Sequence, residues 1–286
     1  MKGLFVPQFT AFNHNQKVDY VATREHASWL LENGVTGLVP FGTFGEGSAL
    51  SLLEKMRVTK DLVNIMNGKY LIPTIISNSL GEITEYLEFV EELPLKAIMV
   101  SPPSYYRPIS DAGMIDFYRH IAQKSSHPII AYNIPATALT ISTSIACQIP
   151  IWGVKDSSGS LRSTEDFLAK NVKVLIGSDS LLVEGLKKGA AGGICGLSNL
   201  FPSEMVSVYK NYLAGNVAEA ESTLARLVGS TSAFLKVGYG VSQSIAAFKS
   251  VANSLNKISL GSMRLPSSNL TVTTDVLELV KKLSQT

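Results

Sequence analysis

Lys155 is the residue of this chain best suited to covalent chemistry. It closes the short apolar run 151–154 and is followed by small polar residues, a pattern typical of a buried strand that ends at a polar rim. Burial among apolar side chains disfavours the charged form of a lysine amine and leaves more of the neutral, nucleophilic form. We therefore predict that Lys155 attacks a carbonyl group. The alternative is a lysine whose amine simply extends from the strand end into solvent.

Tyr132 and Thr43 could assist such an amine. Tyr132 lies near the end of the apolar run 128–133, and Thr43 lies in the glycine-flanked turn 42–45. When an amine condenses with a ketone to a carbinolamine and then an iminium ion, a phenol can supply and remove the protons. A threonine hydroxyl and the N–H groups of a turn can bind a carboxylate. Taken singly, these residues could equally be a packing tyrosine and an ordinary turn.

Eight apolar segments could position these residues. They alternate with helix-like segments and cover residues 4–10, 35–41, 70–77, 96–101, 128–133, 151–155, 172–178 and 191–197. This alternation favours a (β/α)8 TIM barrel, an α/β fold in which the strand ends meet at one mouth. The alternative is an open doubly wound sheet, although no G-x-G-x-x-G motif follows the first strand.

The predicted barrel is followed by helices. We assign residues 1–215 to the barrel, which would be the catalytic domain, and residues 216–286 to a C-terminal helical extension. Within the extension, residues 216–236, 240–255 and 271–284 have helical patterns. Asp19 and Ser51 are expected to cap the first two barrel helices.

Composition and charge argue against several function classes. The 286 residues include 25 Lys and Arg and 23 Asp and Glu, without a block of like charge that could follow a phosphate backbone, so we expect no nucleic-acid partner. No run reaches the roughly 18 apolar residues of a membrane span, so we expect no membrane partner. Two cysteines suggest a reducing, cytoplasmic location. The four histidines form no paired motif, so we expect neither a metal nor a cofactor.

Three motifs resemble the dihydrodipicolinate synthase and N-acetylneuraminate lyase superfamily of class I pyruvate aldolases. They are the turn Gly42-Thr43-Phe44-Gly45-Glu46, the segment Tyr132-Asn133-Ile134-Pro135 and the strand end Gly153-Val154-Lys155-Asp156. The resemblance follows the chain order and implies a (β/α)8 barrel. It also implies that Lys155 forms an imine with pyruvate and that Tyr132 is the acid and base.

Further roles follow from the same resemblance. Thr43 and the neighbouring Phe44 would bind the pyruvate carboxylate, and the carbonyl of Ile194 would lie near the imine. A homotetramer, built as a dimer of dimers, would bring Tyr105 into a neighbouring subunit's site, with Tyr106 as the alternative. The partners would be small molecules, pyruvate and an aldehyde.

Two departures argue against the synthases of this superfamily. Synthases usually carry an arginine two residues after the proline of the tyrosine motif, where it holds the carboxylate of the aldehyde partner, and this chain has Thr137 there. They also usually carry a second threonine in the glycine turn, as part of a hydroxyl relay to Tyr132, and this chain has Phe44.

The chain looks closer to archaeal-type 2-keto-3-deoxygluconate aldolases. By that resemblance Ser157, Gly177 and Asp179 would meet sugar hydroxyls, with Thr137 as a further polar partner. We predict reversible cleavage of 2-keto-3-deoxygluconate to pyruvate and glyceraldehyde, with 2-keto-3-deoxygalactonate as a further candidate. A phosphorylated substrate would need cations at the mouth, for which Arg107 and Lys236 are the candidates. The alternatives are dihydrodipicolinate synthase, N-acetylneuraminate lyase and a non-catalytic barrel.

Overall fold

A computed structural model describes residues 1–255 and 258–285 of the protein. At its centre is a sheet whose neighbouring strands all run parallel. The described residues form the strands β1 Gly3–Val6, β2 Gly37–Leu38, β3 Tyr70–Leu71, β4 Thr74–Ile75, β5 Ile98–Val100, β6 Ile129–Asn133, β7 Gly153–Asp156, β8 Lys173–Ile176 and β9 Gly192–Ile194. Their order in the sheet is β3-β2-β1-β9-β8-β7-β6-β5-β4.

The sheet closes into a barrel because β3 and β4 are two halves of one strand. They are separated by Ile72 and Pro73, and proline has no N–H group to donate to a ladder. On one side of this segment the Ile72 N–H donates to the Leu38 carbonyl at 2.9 Å. On the other side the Met99 N–H donates to the Pro73 carbonyl at 2.9 Å. The first and last strands of the sheet order are therefore one strand, and the predicted TIM-barrel fold is confirmed.

Helices follow the strands on the outside of the barrel. They are α1 Tyr20–Glu32, α2 Leu52–Val63, α3 Leu80–Val90, α4 Asp111–Gln123, α5 Thr143–Ala146, α6 Leu161–Ala169, α7 Leu182–Lys187 and α8 Pro202–Leu213. Both predicted caps are confirmed, since Asp19 accepts a hydrogen bond from the Ala22 N–H and Ser51 forms a capping box with Glu54.

Several strands are shorter than their apolar segments. The segment 35–41 is a strand only at β2, because the chain turns out of the sheet before Phe41, which has a φ of 62°. Side chains alternate between the inside of the barrel and the helices, as strand geometry requires. The inner set includes Phe5, Ile72, Met99 and Tyr132, whereas the outer set packs against the helices.

Three further helices follow α8, as predicted. They are α9 Val217–Thr231, α10 Val241–Leu255 and α11 Thr274–Gln285. Phe248 of α10 is buried in the same apolar cluster as Phe12 and Phe44 of the barrel. After α10 the chain returns to the barrel, where the Phe12 N–H donates to the Leu260 carbonyl at 3.1 Å. The division into a barrel domain and a helical extension at residue 215 stays a prediction.

One histidine is fully buried between α1 and the segment after β9. His26 Nε2 lies 3.1 Å from Asn199 Oδ1, and the ring stacks on Trp29. Burial disfavours the imidazolium and lowers the pKa of His26 to about 4.

We expect the folded state to lose stability as the pH falls from about 6.5 to about 4, because the pKa of His26 is lower in the folded chain than in the unfolded chain. In the unfolded chain His26 binds a proton near pH 6.5, whereas in the folded chain it does so only near pH 4, so acid favours unfolding within this window. At pH 5 this effect lowers the free energy of unfolding by about 2 kcal/mol relative to neutral pH. Urea unfolding of the parent and of His26→Gln at pH 7 and pH 5 measures this loss. The parent should lose about 2 kcal/mol more than the variant between the two pH values. The exposed His14 provides the control His14→Gln, and equal pH dependence in the parent and His26→Gln would contradict the prediction.

Candidate active site

Lys155 and Tyr132 face each other inside the barrel from adjacent strands. They are direct partners in the register of β6 and β7. Lys155 Nζ lies 4.2 Å from the centre of the Tyr132 ring. Both residues are buried, with exposed fractions of 4% and 2%. Within the described residues no carboxylate forms an ion pair with Lys155, so its amine is not committed to a salt bridge.

A buried polar pair holds these two strand ends together. Asn133 Nδ2 donates to Asp156 Oδ1 at 2.9 Å, one position beyond the tyrosine and the lysine. The Asp156 carboxylate also accepts from the Ser158 N–H at 3.1 Å and from Thr164 Oγ1 at 3.2 Å. Because a buried carboxylate with several donors tolerates little displacement, this pair fixes the register on which the distance between phenol and amine depends. No role was predicted for Asn133 or Asp156, although polar residues at the ends of two buried strands are a signal that the sequence contains.

The glycine turn brings a hydroxyl and free N–H groups to Tyr132. Thr43 Oγ1 lies 3.0 Å from the Tyr132 hydroxyl. Within the described chain, the N–H groups of residues 42–45 donate no hydrogen bond. The turn needs glycine at Gly45, since a Cβ there would lie 2.7 Å from the Phe41 main-chain nitrogen and 2.8 Å from the Gln8 carbonyl oxygen. Unpaired N–H groups that converge in a turn can bind an anion such as a carboxylate. We call residues 42–45 the cradle.

The side chain of Phe44 packs against other aromatic rings. Its ring packs on Phe9 and Phe248, with centroid distances of 5.7 and 5.2 Å, and it fills the space beside Gly196. The side chain is therefore part of the apolar core and does not line the cavity beside Tyr132, so only its N–H group is available to a substrate. Phe44 lacks the hydroxyl group that the resemblance expects at this position, and the hydroxyl contact to Tyr132 is made by Thr43 instead.

A cavity of about 350 Å³ opens beside Tyr132. It is rich in hydroxyl groups, its one lining carboxylate belongs to Glu46, and no Lys or Arg of the described residues lines it. The hydroxyl groups come from Thr43, Ser48, Ser101, Ser104, Tyr132, Thr137, Ser242 and Ser267. Such a lining suits a neutral molecule with several hydroxyl groups. The sequence predicted Thr43, Tyr132 and Thr137 but missed the serines, two of which come from segments after β9.

Ser157, Gly177 and Asp179 follow the ends of β7 and β8. A Cβ on Gly177 would lie 2.0 Å from Ser157 Oγ and 2.9 Å from the Asp156 carbonyl oxygen, so a larger residue here would displace the Ser157 side chain. Asp179 Oδ1 accepts from the Leu197 N–H at 3.1 Å. Burial raises the pKa of the Asp179 carboxyl to about 6, and the nearby Lys155 charge opposes the rise. The structure places these residues just beyond the ends of the Lys155 strand and of its neighbour β8, outside the lining of the cavity.

The remaining predicted residues lie outside the lining of the cavity. Tyr105 and Tyr106 are 78% and 74% exposed, and their rings contact each other edge to face. Arg107 donates through Nη2 to the Thr137 carbonyl at 3.0 Å. Ile194 is buried on β9 inside the barrel. Neither tyrosine nor Arg107 lines the cavity, and the same holds for the exposed Lys236.

Two properties of the described residues bear on other functions. No group of three or more His, Cys, Asp or Glu side chains in this part of the chain could hold a metal ion. None of its helices has both the length and the apolar character that a bilayer crossing requires.

Comparison with known proteins places the chain in a family. The model of the dihydrodipicolinate synthetase family matches residues 1–270. The 4-hydroxy-tetrahydrodipicolinate synthase of Methanopyrus kandleri is 34% identical over 233 residues, which cover 77% of each chain.

Solved structures agree on the fold. A 2-keto-3-deoxygluconate aldolase from Sulfolobus solfataricus, in complex with D-KDPG, superimposes with a TM-score of 0.89 at 23% identity and covers 99% of this chain and 95% of its own. A dihydrodipicolinate synthase from Bacillus anthracis gives a TM-score of 0.86 at 23% identity, with 100% and 98% covered. The chain therefore belongs to the dihydrodipicolinate synthetase family and is a lyase of the pyruvate-dependent, class I aldolase type.

Proposed function

We propose that the protein reversibly cleaves 2-keto-3-deoxygluconate to pyruvate and glyceraldehyde through an imine on Lys155. The observation that carries this proposal is the pairing of a buried, unbridged lysine with Tyr132 beside a cavity lined by hydroxyl groups and free of cations among the described residues. The lysine and tyrosine provide the chemistry, and the cavity selects the substrate.

The amine of Lys155 would begin the reaction. Its lone pair adds to C2 of the keto acid, and the Tyr132 phenol donates a proton to the departing hydroxyl group. Loss of water leaves the Tyr132 phenolate and an iminium ion that withdraws electrons from C3. The phenolate of Tyr132 then takes the proton of the C4 hydroxyl, the C3–C4 bond breaks, and its electron pair becomes the enamine as glyceraldehyde leaves. Protonation of the enamine at C3 and addition of water to the resulting iminium ion release pyruvate and the free amine.

Thr43 and the cradle would orient this intermediate. The hydrogen bond between the Thr43 and Tyr132 hydroxyls, at 3.0 Å, gives the phenol a neighbour that can share or accept its proton. The N–H groups of residues 42–45 are unpaired in the described chain and suit the carboxylate of the keto acid. With the carboxylate held there and C2 attached to Lys155, the rest of the substrate would extend into the cavity.

The cavity lining supports an unphosphorylated sugar acid. Among the described residues no lysine or arginine faces it, and Arg107 is bound to main-chain carbonyls at the rim. A phosphate group would therefore lose hydration without gaining a cation. In the proposal Thr137, in the lining of the cavity, contributes to binding the sugar hydroxyls. The resemblance assigns the same role to Ser157, Gly177 and Asp179, which lie outside that lining, and 2-keto-3-deoxygalactonate remains a further candidate substrate.

A synthase that condenses pyruvate with aspartate semialdehyde is the second candidate. Two observations favour it: the Methanopyrus kandleri relative carries the synthase name, and the Thr43 contact to Tyr132 is intact. Against it stands Thr137, at the position where the resemblance expects an arginine for the aldehyde's carboxylate. The absence of cations from the described lining of the cavity therefore favours the sugar acid.

The proposal includes an assembly. By resemblance the protein is a cytoplasmic homotetramer in which Tyr105 or Tyr106 reaches the site of a neighbouring subunit. The high exposure of both tyrosines in the single chain is consistent with burial against a second copy.

Trapping with borohydride and pyruvate tests the nucleophile. We expect the parent protein to gain the mass of one reduced pyruvate imine, because borohydride converts the iminium ion to a stable amine. Lys155→Ala should gain nothing, whereas Lys188→Ala, which removes an exposed lysine amine, should be trapped like the parent. Intact mass spectrometry reads both results, and a parent protein without an adduct would contradict the proposal.

Tyr132→Phe tests the proton carrier. We expect kcat to fall by roughly 10²–10⁴-fold, the usual contribution of a general acid and base, while the pyruvate adduct on Lys155 still forms on prolonged incubation. Tyr209→Phe, on α8 away from the site, is the matched control and should keep the parent's rate. A steady-state assay of pyruvate release measures both variants. Parent-like turnover in Tyr132→Phe would remove Tyr132 from the mechanism.

A substrate panel tests the specificity. We expect kcat/KM for 2-keto-3-deoxygluconate to exceed that for its phosphorylated form, D-KDPG, by about tenfold or more. The reason is that the described lining offers hydroxyl groups and no cation. N-acetylneuraminate and the condensation of pyruvate with aspartate semialdehyde complete the panel. If aspartate semialdehyde gives the highest kcat/KM, the protein is a synthase and the sugar-acid proposal fails.

A further inference from the structure

A buried ion pair lies directly behind the cradle. Lys249 of α10 donates to Glu46 Oε1 at 2.8 Å, and both residues are almost completely buried. Glu46 directly follows the cradle and lines the cavity, whereas Lys249 lies 203 positions later in the chain. The reaction as described above uses neither side chain.

The pair ties the cradle to two other parts of the molecule. Lys249 Nζ also donates to the Thr10 carbonyl at 2.8 Å and to the Ser262 carbonyl at 3.0 Å. The second oxygen of Glu46 accepts from the Arg264 N–H at 2.8 Å. One amine and one carboxylate thus join the segment after β1, the cradle and the segment after α10.

A second ion pair strengthens the same attachment. The Arg264 guanidinium donates through both terminal nitrogens to the Glu54 carboxylate at 2.8 Å, and it donates to the Ala49 carbonyl at 3.0 Å. Glu54 lies in the first turn of α2, immediately after the cavity-lining segment that contains Ser48 and Ala49. Residues 46–54 are therefore attached at both ends to residues 262–264.

The geometry of the cradle depends on Glu46. Its backbone has a φ of 52°, an unfavourable conformation for a residue with a Cβ, so contacts must hold it. The Glu46 N–H donates to the Thr43 carbonyl at 3.2 Å, and Thr10 Oγ1 donates to the Gly45 carbonyl at 2.7 Å. A displacement of Glu46 would therefore move the cradle and the Thr43 hydroxyl.

We propose that Lys249 is a positioning residue that holds the cradle in the shape needed for the pyruvate carboxylate. This inference rests on the proposed function, because the cradle has a substrate only if the protein binds pyruvate. Helix α10 then belongs to the catalytic apparatus although none of its residues takes part in the chemistry. Loss of Lys249 would weaken pyruvate binding more than it slows the bond-breaking step.

Lys249→Met tests the proposal with the full-length protein. The readout is the pyruvate concentration that gives half-maximal borohydride trapping of Lys155, together with KM for pyruvate and kcat in the condensation direction. We expect the half-saturating concentration and KM to rise by roughly 10–100-fold, because small displacements of binding groups have effects of this size, and kcat to fall less. Every variant is assayed well below its own unfolding midpoint.

Lys55→Met is the matched control. Lys55 of α2 is also a buried lysine in an ion pair, 3.5 Å from Glu82, but it lies outside the cavity and the cradle. It should lower the unfolding midpoint as Lys249→Met does and leave the half-saturating pyruvate concentration unchanged. If both variants raise that concentration equally, Lys249 contributes only general stability and the proposal fails.

A double variant distinguishes the effect of the missing contact to α10 from the effect of leaving the Glu46 carboxylate without its partner. In Glu46→Gln/Lys249→Met no buried carboxylate is left without its partner, so the unfolding midpoint should recover partly. Half-saturation by pyruvate should stay raised, because the link to α10 is still missing. Parent-like half-saturation in either Lys249 variant would overturn the inference. A parent protein that forms no pyruvate adduct would instead show that the proposed function itself is wrong.

Discussion

The parallel ladder between β6 and β7 is the constraint on which the site depends. It places Tyr132 opposite Lys155, and the next pair, Asn133 and Asp156, fixes this register through a buried hydrogen bond. A shift of either strand by one residue would turn its own side chain, Tyr132 or Lys155, toward the helices, because strand side chains alternate between faces. The distance between phenol and amine is thus set by main-chain hydrogen bonds and one polar contact, and neither depends on a bound substrate.

Two different binding surfaces lie next to this pair, the cavity and the cradle. One side of Tyr132 faces a cavity lined by serine and threonine hydroxyls, while the cradle beside it offers unpaired N–H groups. The charged side chains behind the cradle pair with one another: Glu46 pairs with Lys249, and Arg264 pairs with Glu54. Such pairing leaves the described lining of the cavity without a free cation, which is why the lining suits a neutral polyol better than a phosphate or a second carboxylate.

The segments after β9 have more to do with the site than their position in the chain suggests. Ser242, Ile245, Met263 and Ser267 line the cavity, and Lys249 supports the cradle. Phe44 illustrates the same dependence, since its ring is held by Phe248 of α10 and is thereby kept out of the cavity. A barrel without these segments would lack one wall of its cavity and would expose the back of the cradle.

The sequence by itself determined the elements and the chemistry. Apolar runs, helix caps at Asp19 and Ser51, and a lysine at a strand end are local patterns, and local patterns predict local structure. Tertiary structure alone decided that Thr43 rather than residue 44 contacts Tyr132, that serines line the cavity, and that Glu46 meets Lys249. These contacts join residues up to 203 positions apart, and their geometry depends on how barrel and helices pack, which no periodicity along the chain encodes.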